Sequence, residues 1–165
     1  MGKIVIVGSG PAGCSAALYA ARAGQEVVVI SMGMGALSKA ELIQNYYGFE
    51  EGITGAELYR QGVAGAKAVG AEFITAEVVG LDYTGSLVVQ TTEGDYPADA
   101  VILATGAGRI APKIAGLAEH EGRGVSYCAT CDAFFYRGKT AAVLGSGEYA
   151  LHEVQACLLY TSPSP

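Results

Sequence analysis

The alternation of apolar runs and glycine turns along the chain predicts an α/β fold. Residues 3–7 are a β-branched apolar run, residues 8–13 are rich in glycine, and residues 14–23 form an alanine-rich segment that suits a helix. A second apolar run follows at residues 26–30. Short, continuous apolar runs are typical of strands buried on both faces of a parallel sheet. The start of the chain therefore predicts a β-α-β unit.

The middle of the chain predicts a second helix and a group of short strands. Residues 31–49 show no period and allow at most a short helix at residues 39–44, whereas residues 55–70 suit a longer one. Residues 72–79, 86–92 and 95–97 predict a β-meander with turns at residues 83–85 and 93–94. The apolar residues 100–104 predict a strand beside the first one. We expect a three-layer, Rossmann-like doubly wound domain that includes the meander.

The last third of the chain predicts the start of a second domain. Residues 108–124 combine Pro112 with several glycines and mixed charge, as linkers do, so we place the boundary near residue 113. Residues 140–144 predict a strand that leads into another glycine turn and helix, the truncated start of a second Rossmann-like domain over residues 114–156. Since such a unit alone cannot bury its apolar faces, we expect a truncated reading frame and a non-native tail at residues 157–165.

Composition excludes two classes of partner. The net charge is −6 and no cluster of Lys and Arg forms the basic stripe that nucleic acids require. No apolar stretch reaches the roughly 18 residues of a membrane span. The first apolar run is also too short for the apolar region of a signal peptide. We expect a cytoplasmic protein without nucleic-acid or membrane partners.

The first glycine turn has the spacing of a dinucleotide fingerprint in the required strand–turn–helix context. Gly8 permits the tight turn, Gly10 lets a pyrophosphate approach the backbone, and Gly13 lets the helix pack closely on the strand. Pro11 suits the first helical position. An acid commonly ends the second strand to bind ribose; Ser31 stands there, and its hydroxyl is also able to bond a ribose hydroxyl.

The sequence Cys128-Ala129-Thr130-Cys131 is the second candidate for chemistry. At the start of a helix, a thiol has a lowered pKa, so one thiolate could attack a disulfide while the other resolves it. Asp132 could exchange the proton. Half of a zinc site and a pair of buried, inert cysteines are the alternatives. Cys14 suits a small core residue.

Two further motifs lie where ligands bind in doubly wound folds, at the carboxyl ends of strands. Ala104-Thr105-Gly106 closes a predicted strand on a glycine. Gly145, Gly147 and Ala150 form a second glycine loop, which could seat another dinucleotide. For both motifs an ordinary turn is the alternative.

The four motifs, in this order and at this spacing, resemble the low-molecular-weight thioredoxin reductase family over residues 1 to about 156. The position of the dithiol in the second domain, rather than in the first helix, carries the resemblance. It implies an FAD-binding domain interrupted by a pyridine-nucleotide domain, two domains that rotate, and a homodimer in the full-length form. The residues that it implies at the FAD are Gly8, Ser9, Gly10, Pro11, Ala12, Gly13, Ser31, Ala36, Leu37, Asn45, Val78, Ala104, Thr105 and Gly106.

The same resemblance implies roles at the dithiol. Cys131 would face the flavin, Cys128 would attack thioredoxin or a similar small redox protein, and Asp132 would be the acid. The alternatives are a dithiol oxidase, a peroxidase-linked flavoprotein reductase, or a nucleotide-binding fragment without turnover. Because it lacks the rest of both domains, we expect the chain as written to be inactive.

Departures from the family pattern concern the electron donor. Met34-Gly35-Ala36-Leu37 stands where the family has Gly-Gly-Gln-Leu, Tyr47 replaces a proline, and Glu148-Tyr149 lies in the second glycine loop. These changes resemble a branch of thioredoxin-reductase-like flavoproteins that use ferredoxin. The donor is therefore NADPH, bound at Gly145, Gly147 and Ala150, or ferredoxin.

Overall fold

The computed structural model describes residues 2–108 and 111–160, which divide into two compact units, Met1–Gly108 and Arg109–Pro165. The first unit contains β1 (Lys3–Val7), α1 (Pro11–Arg22), β2 (Glu26–Ser31), a 3-10 helix (Gly35–Lys39) and α2 (Gly55–Ala68). It continues with β3 (Glu72–Thr75), β4 (Val78–Tyr83), β5 (Leu87–Thr91), β6 (Gly94–Ala98) and β7 (Ala100–Leu103). The domain boundary near residue 113 stays a prediction.

Four parallel strands form the central sheet of the first unit, in the order β3-β2-β1-β7. β1 pairs with β2 on one side, with Val5 opposite Val28, and with β7 on the other, with Val5 opposite Val101. The two inner strands are almost wholly apolar, as a sheet covered on both faces requires. The predicted β-α-β unit and the return of β7 beside β1 are confirmed.

Alternation along the inner strands builds a core on each face of this sheet. Ile6, Val27 and Val29 pack on the helix side, against Ala17 of α1 and Ala66 of α2. Their neighbours Val5, Val7, Val28 and Ile30 point the other way and pack against Val89 and Ala98 of the antiparallel sheet β4-β5-β6. The three-layer α/β prediction is confirmed.

Two predicted elements of this unit are wrong. Residues 72–79 do not form one strand of the meander, because β3 pairs in parallel with β2 and only β4 joins the meander. Between them lies Ala76, which is 3% exposed and whose N–H donates to Ser31 O. The short helix at residues 39–44 is also absent; the 3-10 helix lies earlier, and Ile43 instead forms an antiparallel bridge with Ile53. α1 begins at Pro11, the predicted first helical position, three residues before the alanine-rich segment.

The second unit consists of short helices joined by turns. After a 3-10 helix (Ala118–His120) come α3 (Ala129–Asp132), a 3-10 helix (Ala133–Tyr136) and α4 (Glu148–Tyr160). The strand predicted at residues 140–144 does not form, and Leu144 there is exposed, because no strand of the described part of the chain pairs with it. The predicted non-native tail includes the end of α4, and residues 161–165 lie outside the described residues.

Candidate functional site

The glycine turn between β1 and α1 is tightly packed at two positions and open at a third. Gly8 has φ +107°, and a Cβ there would lie 2.2 Å from the Ala104 carbonyl oxygen. A Cβ on Gly13 would lie 1.8 Å from the Gly8 carbonyl oxygen. A Cβ on Gly10, in contrast, would meet no described atom within 4 Å. Gly8 and Gly13 thus let the backbone of the turn pack closely, against Ala104 after β7 and against α1. Gly10 leaves open space beside the backbone.

The open position coincides with the beginning of α1. Gly10 is the N-cap and Pro11 follows it, and no side chain caps the helix. The first-turn N–H groups of Ala12 and Gly13 therefore have no acceptor within the helix, and such groups attract anions. Open space over free backbone donors is the arrangement that fits a pyrophosphate, so the residues present fit a bound dinucleotide.

Ser9 is the centre of a hydroxyl cluster behind this turn. It is 2% exposed, and its Oγ lies 2.6 Å from Ser31 Oγ and 3.1 Å from the Tyr59 hydroxyl. It also donates to the Gly33 carbonyl oxygen at 3.3 Å. The structure thus places Ser31 beside the turn. Sequence reasoning missed Tyr59, since a tyrosine on an amphipathic helix carries no sign that its hydroxyl meets a serine 50 positions away.

The other sequence-predicted residues of this unit are spread over several elements. Leu37 lines a cavity of about 130 Å³ together with Gly10, Pro11 and Tyr46. Ala36 lies in the same 3-10 helix as Leu37, Asn45 is exposed next to Tyr46, and Val78 begins β4. These three do not line the cavity. Ala104 lies against Gly8, and the exposed Thr105 and Gly106 follow it.

The two cysteines of the second unit form a disulfide. Cys128 and Cys131 are bonded, with their Cα atoms 5.3 Å apart. Cys128 is the N-cap of α3, where its Sγ accepts the Cys131 N–H at 3.2 Å. Residues 2–108 and 111–160 contain no group of three or more His, Cys, Asp or Glu side chains that could hold a metal. Of the three interpretations of this motif, the arrangement therefore favours thiol–disulfide exchange over half of a zinc site or a pair of buried, inert cysteines.

Side chains on both sides of the disulfide hold it in place. Ser126 Oγ accepts the Cys128 N–H at 3.1 Å and donates to Asp132 Oδ2 at 2.5 Å. The Ala129 N–H donates to Glu153 of α4. Sequence reasoning missed Ser126 and Glu153. A serine two residues before the motif was a visible clue, whereas a glutamate 24 residues away was not.

The second glycine loop packs onto the start of α4. A Cβ on Gly145 would lie 2.7 Å from Ala150 Cβ, and Gly147 O accepts the Leu151 N–H at 3.3 Å. A Cβ on Gly147 would meet no described atom within 4 Å. The Tyr149 hydroxyl donates to the carbonyl oxygen of Tyr127 at 3.2 Å. The loop that could seat a dinucleotide is thus tied to the residue that precedes the dithiol.

Within the described ranges, no helix has both the length and the apolar character needed to cross a membrane.

Comparison with known proteins agrees with this arrangement. The sequence profile of the pyridine nucleotide-disulphide oxidoreductases matches residues 2–157. A bifunctional thioredoxin reductase/thioredoxin of Mycobacterium leprae is 46% identical over 156 residues, which are 92% of this chain and 34% of that protein. A thioredoxin reductase of Streptomyces coelicolor is 40% identical over 156 residues, which are 92% of this chain and 48% of that protein. The crystal structure of thioredoxin reductase from Streptococcus pyogenes has a TM-score of 0.85 at 35% identity, and covers 96% of this chain and 52% of its own. This chain spans about a third to a half of the length of these relatives.

Proposed function

The chain belongs to the pyridine nucleotide-disulphide oxidoreductase family, and on that premise we propose that it is part of an FAD-dependent disulfide reductase that acts on thioredoxin or a similar protein. The observation that carries the proposal is the Cys128–Cys131 disulfide at the start of α3, with the Asp132 carboxyl held beside it through Ser126. The names of the relatives favour thioredoxin as the partner over a dithiol oxidase, a peroxidase-linked reductase or a fragment without turnover.

The reduced pair would act on its partner in two exchange steps. The Cys128 thiolate attacks one sulfur of the partner disulfide, a mixed disulfide forms, and a partner thiolate leaves. The Cys131 thiolate then attacks Cys128 Sγ, the Cys128–Cys131 bond reforms, and the second partner thiolate leaves. Two electrons pass from the dithiol to the partner. Cys128 suits the attacking role because its Sγ already accepts the Cys131 N–H, a bond that would stabilise a thiolate.

Asp132 would supply and take up the protons of these steps. Each departing thiolate is protonated, and a carboxyl next to the pair is suited to this transfer. Ser126 donates to Asp132 Oδ2 and accepts the Cys128 N–H, so one hydroxyl fixes both the acid and the backbone of the nucleophile.

FAD would be held by the first unit. The open space over Gly10 and the free N–H groups at the start of α1 suit its pyrophosphate, with Ser31 at the ribose. When bound, the flavin supplies the electron pair that reduces the Cys128–Cys131 disulfide, and we assign Cys131 to the side that faces it. We assign the remaining contacts to Ser9, Pro11, Ala36, Leu37, Asn45, Val78, Ala104, Thr105 and Gly106.

NADPH and ferredoxin are the two candidate donors of electrons to the flavin. The open Gly147 suits a phosphate of NADPH, with Gly145 and Ala150 packing the loop. Glu148 opens α4 with a negative charge, which repels a phosphate there and so counts against NADPH as the donor. Anaerobic titration of the oxidised full-length protein with NADPH or with reduced ferredoxin, followed by flavin absorbance, distinguishes them. A homodimer and a cytoplasmic location remain predictions.

The two cysteines provide a matched test in the full-length protein. Cys131→Ser should lose turnover with thioredoxin but trap it as a mixed disulfide with Cys128, visible on a non-reducing gel. Cys128→Ser should lose turnover and trap nothing, because its remaining thiol faces the flavin. Trapping by Cys128→Ser alone would reverse the two roles. Turnover by either variant at the wild-type rate would refute the proposed function.

A further inference from the structure

Glu153 is the acidic side chain of α4 that reaches the dithiol motif, where it accepts the N–H of Ala129. We propose that Glu153 is a positioning residue that lowers the reduction potential of the Cys128–Cys131 pair and so makes the dithiol a stronger reductant. The proposal rests on the proposed function in one respect only, which is that the pair cycles between disulfide and dithiol.

The start of α3 offers backbone N–H groups, and two of them have different acceptors. The Cys131 N–H points at Cys128 Sγ, so it would stabilise negative charge on that sulfur. The Ala129 N–H, one position after Cys128, points at the Glu153 carboxylate. The backbone donor next to Cys128 is therefore paired with a side chain that carries its own negative charge, which brings that charge to the beginning of α3 beside Cys128.

The charge of Glu153 acts on one redox state only. On reduction the pair takes up two electrons, the S–S bond breaks, and the sulfurs either take up protons or stay as thiolates. The disulfide is neutral, whereas a Cys128 thiolate and the Glu153 carboxylate repel each other. Stabilising the reduced form makes a dithiol couple more oxidising, so destabilising it makes the couple more reducing.

The other nearby carboxylate does not duplicate this effect. Asp132 Oδ2 accepts from Ser126 in an exposed contact, where water screens its charge. Glu153 comes instead from α4, the helix that the second glycine loop begins, and its carboxylate is partly buried in its contact with Ala129. Partial burial strengthens charge interactions, because water screens them less.

The test compares charge removal at Glu153 with charge removal elsewhere in the same unit. Glu153→Gln removes the charge and keeps an acceptor for the Ala129 N–H. If Glu153→Gln does not fold, Glu153→Ala takes its place in the comparison. The control is Glu119→Gln in the exposed 3-10 helix before the motif. Full-length holoprotein is equilibrated in glutathione buffers, quenched with acid and labelled with a maleimide, and the fraction of reduced Cys128–Cys131 peptide is measured by mass spectrometry.

We expect Glu153→Gln to shift the equilibrium toward the dithiol about tenfold, or about 30 mV for this two-electron couple, and Glu119→Gln to leave it unchanged. Alkylation of reduced Cys128 should accelerate in Glu153→Gln as well. An equilibrium for Glu153→Gln equal to that of Glu119→Gln, or a shift toward the disulfide, would overturn the proposal. If Glu153→Gln shifts the disulfide/dithiol equilibrium as expected but the wild-type protein does not reduce thioredoxin, only the proposed function would be overturned.

Discussion

Alanine substitutions at Gly13 and Gly10 should separate the two purposes of the first glycine turn. A Cβ on Gly13 would stand 1.8 Å from the Gly8 carbonyl oxygen, and this neighbour is backbone, which no rotamer change can move. Relief requires α1 to move away from β1 and β7. Overpacking of this kind costs roughly 3 kcal/mol. We therefore expect Gly13→Ala to lower the free energy of unfolding by about that amount.

Gly10→Ala should leave stability nearly unchanged and still weaken cofactor binding strongly. Its Cβ would meet no described atom within 4 Å. Loss of a glycine N-cap costs about 0.5 kcal/mol, and the smaller entropy of the unfolded chain returns a similar amount. The new methyl group would occupy the space proposed for the pyrophosphate. We expect FAD affinity to fall about a hundredfold, or about 3 kcal/mol.

Two measurements on the full-length protein test this pair. Urea unfolding of the flavin-free protein, followed by far-UV circular dichroism, reports stability without a contribution from bound ligand. Quenching of FAD fluorescence on titration reports affinity. If Gly10→Ala binds FAD as tightly as the wild type, the turn is not a phosphate site. If Gly13→Ala is as stable as the wild type, the close packing of α1 on the turn does not exist.

Three further predictions concern single side chains. Thr54 Oγ1 caps α2 by accepting the Glu57 N–H at 3.2 Å, so Thr54→Ala should lower the free energy of unfolding in urea by about 1 kcal/mol. Thr54→Ser keeps the hydroxyl and should be as stable as the wild type. Equal stability of the two variants would contradict the cap. Hydrogen bonds from Arg60 and Gln61 lower the pKa of Glu57 from 4.5 to about 2. The ionised Glu57 carboxylate therefore stabilises the folded protein fully above pH 4.5, and this contribution is lost as the pH falls toward 2. The stability difference between wild type and Glu57→Gln should shrink over that interval, and a constant difference would refute this. Burial raises the pKa of the Cys14 thiol, which donates to Ser9 O, so a thiol reagent should label Cys14 only after unfolding; rapid labelling in the native protein would be inconsistent with its burial.

Local pattern was sufficient wherever a strand or turn depends on its own residues. The apolar runs at β1 and β2 and the glycines between β1 and α1 predict both the element and its layer, because continuous burial and positive φ leave direct marks in composition. The composition of β3 does not show which sheet the strand joins. Its residues suit either sheet, and the pairing of Phe73 with Val29 depends on where α2 returns the chain.

The candidate site divides in the same way. The cysteines, Asp132 and the fingerprint glycines could be proposed from the sequence because their chemistry depends on residue type and close spacing, within a few positions along the chain. Tyr59 and Glu153 were not found, since each meets its partner across a gap of tens of residues. A glutamate on a helix is usually exposed and a tyrosine is buried about as often as not, so the identity of either residue says nothing about such a contact.

The sequence by itself determined the β-α-β start, the three-layer fold and the two motifs that carry the proposed chemistry. Only the tertiary structure decided that Ser9 is buried among three hydrogen-bond partners and that the Ala129 N–H belongs to Glu153. The physical reason is that strand burial and tight turns are imposed on neighbouring residues. The direction of a single hydrogen bond between distant elements is instead set by how those elements pack, which no local pattern records.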